Sequence, residues 1–259
     1  MDNPSMETEF KDGPIGILTS VRQEMVAIAR LLNPISLFER NGVVYYHGEI
    51  DGIPVILTRS GMGWERARRA AMGLMGDSSP KSLIIAGFAA SLSPSVKRGD
   101  IILPDCVQAS QSLAPDIPSL IPSIPPGKAI HPPHIHIKNG GLITHDRIVI
   151  HASEKHAIAG AHPNCASMDM ESYPMAREAV KAKIPWIIVR GITDDFNEDM
   201  PLDFNRYVGA NGETSLSGVA MAACLRFWKI PAMIEFGKNA QKTADKIADT
   251  VKNLIPSLA

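Results

Sequence analysis

The feature that most constrains the fold is a repeated switch of hydrophobic period, from short β-branched runs to stretches with apolar residues at helical spacing. Ile15 to Leu18 is such a run. It stops at Thr19-Ser20, and Glu24, Met25, Ile28, Leu31 and Leu32 follow at the period of a helix. Ile35 to Phe38, Val43 to Ile50 and Ile53 to Thr58 read as strands, joined at Asn41-Gly42 and Asp51-Gly52 in the manner of tight hairpins. Gly61-Met62-Gly63 opens a helix from Trp64 to Met75, and Leu83 to Gly87 reads as a buried strand. Residues 104–139 are rich in Pro, Ser and Ile without a clean period, which predicts a long excursion from the core. Beyond it, Leu142 to Thr144 and Ala166 to Met168 read as strands, and Ala152 to Ala161 and Ser172 to Lys183 as helices. Ile184 to Arg190 is the most β-like segment of the chain. This alternation predicts a three-layer α/β fold with a central mixed sheet flanked by helices, its functional residues beyond the carboxyl ends of strands.

The domain plan follows: a flexible leader over 1–13, an α/β domain over 14–215, and a helical extension over 216–259. In the extension Ala240, Ala244, Ile247, Ala248, Val251, Leu254 and Ile255 fall on one helix face. Lys and Arg total 26 against 27 Asp and Glu, so no overall field favours nucleic acid. Cys106, Cys165 and Cys224 are odd in number and widely spaced, which suggests neither a disulfide framework nor a thiolate metal site and predicts a reducing cytoplasm. The best apolar run near the C-terminus is broken by Arg226, Lys229 and Glu235, so no span of about 20 residues forms. Around Phe227, Trp228, Met233, Ile234 and Phe236, however, basic residues outnumber acidic ones, the composition of a segment that either packs on the domain or a partner or lies at the inner face of a membrane.

Chemistry is sought at the strand ends, where Glu24, Asp169, Glu171, Asp194 and Asp195 can converge although far apart in sequence. Carboxylates in different environments can divide acid and base work between them; the bland alternative makes them helix caps and surface charges. His131, His134 and His136 form the only metal-like cluster. No carboxylate or Cys completes a set at a recognised spacing, so a polar Pro-rich loop is expected there and no metal.

The segments Ile15-Gly16-Ile17-Leu18-Thr19-Ser20-Val21-Arg22-Gln23-Glu24, Ser167-Met168-Asp169-Met170-Glu171-Ser172 and Ile188-Val189-Arg190-Gly191-Ile192-Thr193-Asp194 resemble three signature segments of the nucleoside phosphorylase and nucleosidase superfamily, in the same order. With Gly61-Met62-Gly63 and Ala86 to Leu92, the likeness spans residues 14 to 200. The resemblance implies roles. Glu171 would hold the ribose hydroxyls with Met170 packed on the sugar, Asp194 would donate a proton toward purine N7, and Glu24 would orient and deprotonate an attacking water. Ile148, Val149, Thr193, Phe88 and Ala89 would hold the base, against an aliphatic wall where several relatives stack an aromatic ring.

Met168 to Ser172, Gly61 to Ala67 and Asp146-Arg147 are most similar to the hopanoid-associated phosphorylases within that superfamily. This implies adenosylhopane as substrate, with release of adenine during bacteriohopanepolyol biosynthesis. Methylthioadenosine or S-adenosylhomocysteine nucleosidase, another purine nucleoside phosphorylase, and a non-catalytic purine-binding scaffold are the alternatives. No cofactor is implied. Phosphate is a candidate co-substrate, which would sit on the Gly61-Met62-Gly63 amides with Arg59 or Arg22, although Phe88-Ala89-Ala90-Ser91 replaces the Gly-rich turn of many relatives. The expected partners are a purine nucleoside, lipid-linked in the favoured reading, and a second copy of the chain in a homodimer.

Overall fold

Two hairpin turns fix the first part of the sheet. Asn41 and Gly42 have φ of 53° and 75°, and Asp51 and Gly52 have 51° and 80°; paired positive φ values suit the twist of tightly joined strands. In the computed structural model, which describes residues 13–113, 117–124, 135–207, 209, 212 and 230–258, these turns join β2 (Ile35–Arg40), β3 (Val43–Ile50) and β4 (Ile53–Arg59) into an antiparallel meander. The rest of the sheet is largely parallel: β4 pairs with β1 (Ile15–Thr19), β1 with β5 (Ser82–Ser91), and β5 with β11 (Trp186–Asp194). At its far end β5 meets β10 (Cys165–Asp169) in antiparallel register, and β10 continues to β9 (Gly141–Thr144) and β7 (Val107–Ala109). β6 (Ile101–Ile102) extends from β11 and carries β8 (Ile137–Lys138).

The central strands β1, β5 and β11 are buried on both faces, and their period of two sorts side chains between two cores. Ile84, Ala86, Ile187 and Val189 face helices α1 (Arg22–Ala29) and α5 (Ile230–Leu254), with Ile28, Ala244, Ile247 and Val251 in the same core. Leu83, Ile85, Trp186 and Ile188 face α2 (Trp64–Ser78) and α4 (Ser172–Ala182), with Ala71, Leu74, Ala176 and Ala179. The expected three-layer architecture with a mixed sheet is therefore present. Helix α3 (Ala152–Ala161) lies over the β9–β10 end and contributes Ile158 and Ala159 to a small third cluster.

Two local expectations change. β5 does not end at Gly87; Phe88 to Ser91 continue it, because both edges of this stretch find partners, β11 through Ala90 and β10 at Ala90 and Ser91. The described parts of the 104–139 excursion return to the sheet as β7 and β8, whose two to three residues are too short to leave a period in the sequence. The apolar face foreseen in the extension packs as expected from Ala240 to Leu254, while 216–229, like 1–12 of the leader, lies outside the described residues. No described helix is long and apolar enough to cross a membrane.

Candidate active site

Four strands, β1, β5, β10 and β11, bring their ends to one cavity of about 590 Å³. Glu24, Glu171 and Asp194 all line it, with Met170 beside them. Arg22, Phe88, Ala89, Ile148, Val149 and Thr193 share the same walls. Residues drawn from sequence positions 22 to 194 thus form one site.

Glu24 occupies the first turn of α1, only 2% exposed. Its Oε2 accepts from the Ser20 and Val21 amides at 2.8 and 2.9 Å, and its Oε1 from the Phe88 amide at 2.8 Å. The extension of β5 that replaces the expected turn is what delivers the Phe88 amide. Burial raises the pKa of Glu24 above the ordinary carboxylate value, against the Arg190 charge and the three amides that oppose the rise. A buried carboxylate with raised proton affinity suits a base. On the same wall the Ser20 hydroxyl is buried with no protein partner.

Glu171 precedes α4 and accepts from the Gly63 amide at 2.8 Å through Oε1. Burial, then the neighbouring Asp169 charge, push its pKa up to about 8, while Arg190 and the Gly63 amide act in the opposite sense. Gly63 has φ of 100° and Gly61 of 76°, conformations open to glycine at little cost. The Gly61-Met62-Gly63 turn therefore serves Glu171. Its Met62 amide donates to the Gly212 carbonyl at 3.0 Å, so two of the three amides expected to cradle phosphate already have protein acceptors. Arg59 is half-buried under the same region, held low in pKa mainly by burial, and it does not line the cavity.

Asp194 ends β11, 5% exposed. Its Oδ2 accepts from Lys155 Nζ at 2.5 Å, and its Oδ1 from the Thr193 hydroxyl at 2.9 Å. Between these groups lies a buried ion pair that acts as a frame: Arg190 meets Asp169 Oδ2 at 2.6 Å and donates to the Ser172 hydroxyl at 2.8 and 3.0 Å. Asp169 also accepts from Thr144 at 2.7 Å and from the Ser172 amide at 2.9 Å, so of the acidic residues singled out in the sequence it orients the start of α4. Asp195 points away, accepting from the Arg98 amide at 2.8 Å.

The cavity also has an apolar lining of Met62, Met200, Phe204, Met233 and Phe236, with Phe204 and Phe236 stacked at 5.6 Å. Phe204, Met200, Lys155 and Arg190 carried no assigned role in the sequence. Arg190 had a detectable signal, a charge closing an apolar strand, whereas Lys155 sits in a helix that reads as solvated. Among the described residues no group of His, Cys, Asp or Glu could hold a metal ion; His131 and His134 lie outside them.

The profile of the Phosphorylase superfamily matches residues 14–226, and the chain belongs to that superfamily of nucleoside phosphorylases and nucleosidases. It is an enzyme of that class. A 5′-methylthioadenosine/S-adenosylhomocysteine nucleosidase of Staphylococcus aureus (strain JH9) is 22% identical over 209 residues, 75% of this chain and 92% of its own length. Among solved structures, the futalosine hydrolase of Helicobacter pylori strain 26695 superposes with a TM-score of 0.73 at 16% identity, covering 95% of this chain and 99% of that one. The methylthioadenosine/S-adenosylhomocysteine nucleosidase of Colwellia psychrerythraea 34H, in complex with adenine, gives 0.70 at 17% identity, covering 95% and 96%.

Proposed function

We propose that this enzyme hydrolyses the N-glycosidic bond of a 5′-substituted adenosine and releases adenine. The observation that carries the reading is the meeting of Glu24, Glu171 and Asp194 on one cavity, each with a distinct set of partners. In this reaction Asp194 gives a proton to purine N7, the C1′–N9 bond breaks with its electron pair passing to the base, and the sugar gains oxocarbenium character. Water adds its oxygen to C1′ and passes a proton to Glu24, and Glu171 holds the ribose hydroxyls. Leaving-group protonation and ribose contacts stabilise the transition state more than the ground state. Water as nucleophile is supported by the raised pKa of Glu24 and by the unpartnered Ser20 hydroxyl beside it, a place for a hydrogen-bonded water. Phosphate has less support, since the Met62 and Gly63 amides of the turn are engaged. Purified enzyme should release adenine without phosphate, and Asp194→Asn and Glu24→Gln should each lower kcat about 10²- to 10⁴-fold. Full activity in both variants would sink the assignment, and ribose 1-phosphate formed only when phosphate is supplied would make the enzyme a phosphorylase.

For the 5′ group we favour a large apolar substituent, with adenosylhopane as the substrate. The apolar wall of Met62, Phe204, Met233 and Phe236 supports it, as does the exposed first part of α5, where Ile234 is 53% exposed. Such a lipid would bring that part of α5 to a membrane surface. The second reading, a small 5′-thio substituent, is favoured by the relatives that carry that activity in their names. Competition between methylthioadenosine and an adenosine with a long 5′-alkyl chain separates the two. The homodimer implied by the family resemblance belongs to the same proposal, and sedimentation of the purified enzyme decides it.

A further inference from the structure

Lys155 is the only buried residue of α3 and is 0% exposed, an uncommon place for an ammonium group. All of its donors are used: Nζ donates to Asp194 Oδ2 at 2.5 Å, to the Asp195 carbonyl at 2.7 Å and to the Glu198 carbonyl at 3.0 Å. The helix is itself fixed to the same segment, for the Asp199 carboxylate accepts from the Ala152 amide at 2.8 Å at the N-terminus of α3. A buried charge in a full hydrogen-bond shell has a single low-energy position, so its partner does too.

We infer that Lys155 is a positioning residue for Asp194: it ties Oδ2 down on the protein side and leaves Oδ1, beside the Thr193 hydroxyl, as the oxygen that reaches the purine. The inference rests on the reading of Asp194 as the acid that protonates the leaving base. In that step the proton leaves Asp194 for N7 and a carboxylate stays behind, and the ammonium already faces it. No charge has to be brought in or rotated when the bond breaks, which is how a preorganised site lowers a barrier.

A residue that only clamped the 194–199 segment would act independently of Asp194; one that works through Asp194 would not. The test is therefore a double-mutant cycle with Lys155→Met and Asp194→Asn. The double variant also removes the Asp194 carboxyl group that Lys155→Met alone leaves buried without its partner, and so retains a folded form for measurement. Each single variant should lose about 10²-fold or more in kcat with a smaller change in KM, and the double variant should be no worse than the poorer single one. A riboside whose leaving group needs no proton, such as a nitrophenyl riboside, should be cleaved by Lys155→Met with little loss. Losses that multiply in the double variant, or an equal loss on both substrates, overturn the inference. If the wild type releases no adenine the catalytic reading fails by itself, and the same cycle is then read in adenine affinity by calorimetry. Coupling there keeps the Lys155–Asp194 unit, and additivity or lack of adenine binding ends it.

Discussion

Glu171 shows how burial sets the working state of one side chain. Its pKa, pushed up from 4.5 to about 8 by burial and by Asp169, means that the folded protein binds a proton there which the unfolded chain has released. Since the folded state holds the extra proton between these values, stability falls as pH rises from about 4.5 to about 8 and is level beyond. Glu171→Gln should remove that slope, changing stability between pH 5 and pH 8 by less than the wild type does, by an amount on the order of a few kcal/mol at most. Nucleoside binding runs the other way, because ribose hydroxyls donate best to the carboxylate. KM of the wild type should fall as pH rises toward 8 and stay flat in the variant, as steady-state kinetics across the range would read. A wild-type KM that ignored pH would remove Glu171 from ribose binding.

At the scale of the element, α5 is one helix with two occupations. From Ala240 to Leu254 it packs on the sheet, where Gly191 in β11 leaves the space that Ile247 and Thr243 fill: a Cβ there would lie 2.9 Å from Ile247 Cδ1 and 2.5 Å from Thr243 Cγ2. Its first two turns reach past the core to the cavity, with Met233 and Phe236 on the wall. Substitutions should separate these halves. Ile247→Ala, at 0% exposure, should cost about 2–5 kcal/mol in urea unfolding. Phe236→Ala should change stability far less and instead raise KM for adenosines with long apolar 5′ groups, with a smaller effect on methylthioadenosine. Equal KM effects would remove the apolar wall from substrate selection.

The helix also shows what the sequence carried and what it did not. Its packed face was legible because Ala240 to Leu254 repeat at the helical period, a local signal. The role of its first turns was not, since Met233 and Phe236 gain meaning only when β1, β5, β10 and β11 bring Glu24 and Asp194 beneath them. The change of period marked the strand ends where carboxylates could gather, and the resemblance of three segments to the superfamily's signatures singled out Glu24, Glu171 and Asp194 among them. Lys155 escaped because nothing within Ala152 to Ala161 distinguishes a buried lysine from a solvated one, and its acceptors lie some 40 residues later.

In the whole molecule the two cores meet the site through Arg190. This residue lies in β11, 1% exposed, and its guanidinium touches Asp169 at the end of β10, Ser172 at the start of α4 and the Phe88 carbonyl of β5 at 3.4 Å. Its charge also opposes the burial that raises Glu24 and Glu171. One cation thus compensates three carboxyl groups delivered by two separate segments, which allows them to be buried in one cavity at all. Arg190→Met keeps the length and the apolar contacts but leaves Asp169 uncompensated beside Glu171, and loss of one partner from a buried pair costs about 3–5 kcal/mol. The carboxyl groups of the variant must take up protons to stay buried, so its folded state binds more of them than the wild type and its deficit should shrink as pH falls. Urea unfolding at pH 5.5 and pH 8 measures this: a deficit at pH 8 that narrows at pH 5.5 makes Arg190 the charge that assembles the site. A deficit equal at both values would reduce its part to packing.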